Sequence, residues 1–139
     1  MRMSLKEVQK AYEIADAGDK LLKEKRYAEA IAKYDRAIAQ EPGQAPFHSS
    51  KGRALLLQRS YGAAESELRR AIRLDEEFFE PHLLLGVSRY QQGDHRGAIP
   101  ELSRSMDLLP TRTGAAYLSK SYEAIGDREN ARKYAEMAQ

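Results

Sequence analysis

Residues 83–110 read LLLGVSRYQQGDHRGAIPELSRSMDLLP, and the places of Gly86, Ala98 and Pro110 in that stretch recur along the chain. Gly52 and Gly18 lie 34 and 68 residues before Gly86. Ala64 and Ala30 precede Ala98 by the same steps, and Ala131 follows it by 33. Ala37 and Ala71 keep the spacing, and Pro42 stands two periods before Pro110. A fixed period of this length marks a stack of supersecondary units rather than a globule closed around one core. Binding on an extended surface is the expected activity, and catalysis is not.

The 139 residues divide into blocks 11–44, 45–78, 79–111 and 112–139. Each block reads as two amphipathic helices joined by a tight turn. In the first, Ile14, Ala17, Gly18 and Leu21 share one helical face, and Tyr27, Ala30, Ile31, Tyr34, Ala37 and Ile38 share another. The prediction is an all-α array of about eight helices forming a single domain. Gly18, Gly52 and Gly86 are expected to face the alanines of the second helix, because closely packed helices need small side chains at the contact. Ser4 and Glu7 form a candidate capping box. Gly93-Asp94 and Gly126-Asp127 are expected to end one helix and cap the next. Lys25-Arg26 and Arg59-Ser60 fill the same turn earlier, with strain if its first position is left-handed. Pro100 falls about two turns inside a predicted helix, which it should bend unless that helix starts later.

Charge is balanced, with 23 basic and 21 acidic side chains and a formal net charge of +2. A nucleic-acid binder would show a basic stripe, and none is present. The absence of cysteine removes disulfides, thiolate nucleophiles and cysteine-ligated zinc. No apolar run is long enough to span a bilayer, and residues 1–10 lack the apolar core of a signal peptide. The default compartment is cytoplasmic, or periplasmic if the chain is cut from a secreted parent.

These residues make the chain resemble the tetratricopeptide repeat (TPR) family. Leu85-Gly86 supplies that family's first pair, Tyr34 its later aromatic, and Pro42 and Pro110 its closing proline. The last block departs most, with Ser119 for glycine and Ala135 where an aromatic is usual. The resemblance implies a right-handed superhelix whose first helices line a concave, peptide-binding face. Carried over place by place, the lining comprises Tyr12 and Asp19, then Arg53, Leu56 and Leu57. Leu83, Leu84, Val87 and Tyr90 follow, then Tyr117 and Lys120. The apolar middle of this surface, Leu56 with Leu83, Leu84, Val87 and Tyr90, would suit an amphipathic helix or an extended peptide with apolar anchors.

One TPR subclass grips chaperone tails through Lys, Asn, Asn, Lys and Arg. Ala15, Asp19, Ser50, Glu80 and Leu84 occupy those places, so chaperone-tail binding is not expected. The runs EPGQAPFHSS (residues 41–50) and LLPT (108–111) are similar to repeats trailing bacterial zinc metalloproteases, although the His-Glu-x-x-His motif is absent. The alternative role is therefore an accessory domain of a larger bacterial enzyme, aiding substrate or assembly recognition.

Chemistry has little to work with. His48 and His82 share a place in successive blocks, but two ligands fall short of the three or four that zinc sites use. His95 at a helix start reads as solvated, as do Glu65 and Glu67. No cofactor and no enzymatic activity are expected. The expected partner is a protein or peptide, with weak self-association through the bare final repeat.

Overall fold

A computed structural model describes residues 4–139. The first three residues of the amino-terminal stretch read above for a leader lie outside them. The described residues form eight helices and no strand: α1 (Leu5–Lys23), α2 (Tyr27–Gln40), α3 (Ala45–Leu57), α4 (Tyr61–Leu74), α5 (Phe79–Gln91), α6 (His95–Leu108), α7 (Arg112–Ala124) and α8 (Arg128–Met137). The chain gathers into two compact units, the first ending at Asp75 and the second beginning at Glu76.

In the first unit α1 packs on α2, α2 on α3, and α3 on α4. Ala11, Ala15, Ala30, Tyr34, Ala37, Phe47 and Ala54 form a buried cluster, flanked by Ile14, Leu21, Ile31 and Ile38. In the second unit α5 packs on α6, α6 on α7, and α7 on α8. Leu85, Ala98, Leu102, Ala115 and Leu118 are buried there. Alanine and leucine recur because each helix buries a stripe on both sides of its hairpin.

The side chains nearest the periodic glycines are larger than the alanines, although the Ala64 carbonyl oxygen lies 3.4 Å from the place of a Cβ on Gly52. A methyl added at Gly18 would lie 2.7 Å from Cε1 of Tyr34, and one at Gly52 would lie 2.6 Å from Cδ2 of Leu68. At Gly86 it would overlap Cγ of Leu102. Each of these bulky residues sits one turn after the periodic alanine, at Ala30, Ala64 and Ala98. The missing Cβ is a recess for that larger side chain. The sequence pattern had shown the correct helices and the neighbouring turn.

Capping follows the sequence reading. Ser4 Oγ accepts from the Glu7 N–H at 3.2 Å, and the Glu7 carboxylate accepts from the Ser4 N–H at 3.1 Å. Asp94 accepts from the Gly97 N–H at 2.9 Å and Asp127 from the Asn130 N–H at 3.1 Å. α6 starts at His95 and runs on to Leu108 with Pro100 inside it, so the later start is excluded. Pro100 is exposed and leaves the Arg96 carbonyl without its helical donor.

All four turns inside the hairpins share one hydrogen-bond pattern. In the first, the Lys25 N–H donates to the Leu22 carbonyl and the Arg26 N–H to the Leu21 carbonyl. The same pair of bonds recurs at Arg59-Ser60, Gly93-Asp94 and Gly126-Asp127. This is the Schellman motif, whose closing residue is left-handed. Gly93 and Gly126 take φ 84°, whereas Lys25 and Arg59 are forced to 62° and 63°. Left-handed backbone costs a residue bearing a Cβ about 1–2 kcal/mol. Lys25→Gly and Arg59→Gly should each therefore stabilise the chain, by about 1 kcal/mol after allowing for glycine's freer unfolded state. Urea unfolding would read the gain as a higher midpoint at constant slope. A lower midpoint in both variants would contradict the strain.

Candidate functional site

The first helix of each hairpin carries the residues expected to bind. In the first unit, Tyr12 on α1 is exposed, and its hydroxyl donates to Oε1 of Gln44 at 2.7 Å. Its ring meets Phe47 edge to face, with centroids 4.7 Å apart. Burial, then the charge of Glu41, pushes the Tyr12 phenol up, so it remains a donor. Asp19 accepts from the Tyr34 hydroxyl at 2.6 Å, so its carboxylate braces the core tyrosine. On α3, Arg53 is exposed and Leu57 is 48% exposed, but Leu56 is only 5% exposed.

In the second unit, Leu83, Leu84 and Val87 on α5 are each 7% exposed. Their apolar surface is thus almost wholly committed to packing, and the band expected on the solvent side contracts. What α5 and α7 leave accessible includes the rings of Tyr90 and Tyr117 and the Lys120 ammonium, beside the acidic Glu80 and Glu123 and the polar Gln91. Tyr90 and Tyr117 pack edge to face at 5.4 Å, both half-buried. The Lys120 ammonium stands 5.3 Å from the centroid of the Tyr117 ring, within cation–π range. His95, expected in solvent, instead packs edge on Tyr90 at 5.0 Å, with Nδ1 buried and unpartnered.

A buried polar cluster joining α3 to the second helices α2 and α4 had been missed. His48 Nε2 donates to the Pro42 carbonyl at 3.0 Å, and Nδ1 meets the Glu67 carboxylate at 2.9 Å. Lys51 Nζ lies 2.8 Å from Asp35 and 3.5 Å from Glu67. The four side chains tie α2, α3 and α4 together. Burial pushes the Glu67 carboxyl up, but the hydrogen bond from His48 and the charge of Lys51 outweigh it and hold the group below the ordinary carboxylate value. Glu67 and Glu65, expected on a solvated face, have side chains only 17% and 13% exposed.

His82 meets Glu101 at 3.1 Å in the second unit. Both pairs are 19 residues apart and repeat at 34, so the signal was present in the sequence. Among the described residues no group of three or more His, Cys, Asp or Glu side chains is placed to hold a metal. No described helix is long and apolar enough to cross a membrane. α8 presents Arg128, Glu129, Arg132, Lys133 and Glu136 around a shallow hollow.

A family profile described as tetratricopeptide repeat matches residues 15–77 and again residues 50–113. The inactive TPR repeat-containing thioredoxin TTL3 of Arabidopsis thaliana is 29% identical over 134 residues, covering 91% of this chain. This chain spans 19% of that relative's length. Among solved structures, a crystal structure of MamA superposes with a TM-score of 0.80 at 22% identity, covering 92% of this chain and 75% of that one. The first TPR of Spaghetti (RPAP3), bound to the HSP90 peptide SRMEEVD, gives 0.78 at 23% identity, with 84% and 94% covered.

Proposed function

The chain belongs to the tetratricopeptide repeat family, and from that premise we propose that it is a non-catalytic scaffold binding a peptide or partner protein on the faces of its first helices. The observation that carries this reading is the Tyr90–Tyr117 pair with Lys120 over its outer ring. Tyrosines offer large contact area at low entropic cost and are enriched among residues that dominate binding energy. Tyr12, Arg53 and Leu57 are the accessible counterparts in the first unit.

The RPAP3 domain holds an HSP90 peptide, but the ligand here is of another kind. Ala15, Asp19, Ser50, Glu80 and Leu84 stand at the clamp positions, Leu84 is buried, and Asp19 is engaged by Tyr34. An apolar or aromatic anchor seated against Tyr117 fits the second unit better than a bare carboxylate tail.

The test is selection of binders from a peptide library, followed by titration into variants. Tyr117→Ala and Lys120→Glu should each weaken a selected peptide about tenfold, the scale of a binding hot spot, with thermal melts near that of the parent. Peptides that bind both variants as tightly as the parent chain would reject this placement.

A further inference from the structure

We propose that the hollow bounded by the end of α2, the start of α3 and the end of α4 is a second binding site, for an acidic peptide carrying an apolar side chain between its carboxylates. Its lining is Ile38, Pro42, His48, Arg70, Arg73 and Leu74. The lining shares no residue with the first-helix residues named above, and the site does not depend on that reading.

Its floor is apolar and open. Leu74 is 43% exposed, Pro42 is exposed and Ile38 is half-buried. Exposed apolar surface rimmed by charge is a common mark of an interaction site. The rim is cationic: Arg70 and Arg73 are both exposed, and neither has an ion-pair partner among the described residues, whereas Arg69 is paired with Glu65. At i and i+3 the two guanidinium groups project on neighbouring parts of one helix face. Each presents the planar fork that matches a carboxylate. Arg73 also complements the carbonyl end of α4, but that role leaves its fork free and does not explain the open leucine beside it.

The hollow is also held in shape. His48 forms its inner wall and fixes the Pro42 carbonyl through Nε2, while Glu67, Lys51 and Asp35 extend the tie to α4 and α2. A preformed hollow loses little freedom on binding. The next repeat supplies a contrast. Thirty-four residues on, Ile72, His82, Arg104 and Leu108 keep the places of Ile38, His48, Arg70 and Leu74, but Glu76 replaces Pro42 and Asp107 replaces Arg73, so an acidic ligand would meet two carboxylates beside one arginine. The paired-arginine rim belongs to the first copy.

A fluorescein-labelled, amidated Glu-Asp-Leu-Phe-Glu-Asp peptide, titrated with the whole chain and followed by anisotropy, tests the proposal. Saturable binding is expected with a Kd below about 1 mM, weakening as salt rises. The double variant Arg70→Glu/Arg73→Glu should raise the Kd at least tenfold while its circular-dichroism melt matches the parent. Leu74→Asp, a change at an exposed position, should act in the same direction. Tyr90→Ala/Tyr117→Ala should leave this Kd unchanged, which separates the site from the first-helix faces. Absence of saturable binding would overturn the assignment. Equal binding of a Lys-Lys-Leu-Phe-Lys-Lys peptide, or loss in the tyrosine variant instead of the arginine variant, would overturn it as well.

Discussion

Gly86→Ala is expected to destabilise the second unit by about 1–3 kcal/mol, the range for overpacking a filled interior. The added methyl would fall on Cγ of Leu102 and within 3.2 Å of the Leu102 backbone nitrogen. A side chain can turn aside, but the backbone of α6 cannot without moving its whole stripe. Gly52→Ala meets mainly the tip of Leu68, with the Ala64 carbonyl oxygen at 3.4 Å, and should cost less. Leu102→Ala alone should lose about 2–5 kcal/mol by leaving a cavity. In the double variant the alanine at 86 partly refills the space vacated at 102. Its loss should therefore fall short of the sum by about 0.5–3 kcal/mol, the range for residues in contact. Urea titration of the four proteins measures this coupling. Simple additivity would mean that Gly86 and Leu102 do not share the recess.

His48→Ala should have an effect of similar size, about 3 kcal/mol, the order expected when one partner of a buried polar pair is removed. Two acceptors lose their donor at once, the Pro42 carbonyl and the Glu67 carboxylate. Lys51 alone then remains beside Glu67. The pH dependence follows from the sign of the Glu67 shift. Its folded value lies below the ordinary one, so its contribution is complete above the unfolded carboxylate value, about 4.3. That contribution is lost as pH falls through the folded value. Glu67→Gln should consequently flatten the decline of stability from about pH 4.5 downward. A decline as steep as the parent's would show that Glu67 is not stabilised as a carboxylate.

The eight helices and their turns were legible because they depend on local chemistry repeated at one period. Glycine, aspartate and alanine announce them within a few residues of where they act. The left-handed strain at Lys25 and Arg59 could be anticipated because later turns place Gly93 and Gly126 there. The candidate surface was less legible. Leu83, Leu84 and Val87 occupy first-helix positions, yet a helical period cannot say how much of each side chain its neighbours cover. The fate of Glu67 was hidden for a related reason: its partners lie 16 and 19 residues away, on another helix. Only the repetition of that pairing at His82 and Glu101 would have exposed it.

The unequal turns carry a kinetic meaning. Closing a first hairpin is the uphill step in building a helical stack, since chain freedom is lost before contacts return it. The α5–α6 turn closes through Gly93 without backbone strain and offers the Asp94 cap to the helix that follows. The α1–α2 and α3–α4 turns close through Lys25 and Arg59, with no side-chain cap at Arg26 or Ser60. The α7–α8 turn shares both features, with Gly126 and the Asp127 cap, so nucleation is biased toward the hairpins of the second unit, giving a chain of near-identical repeats a preferred part in which to begin folding.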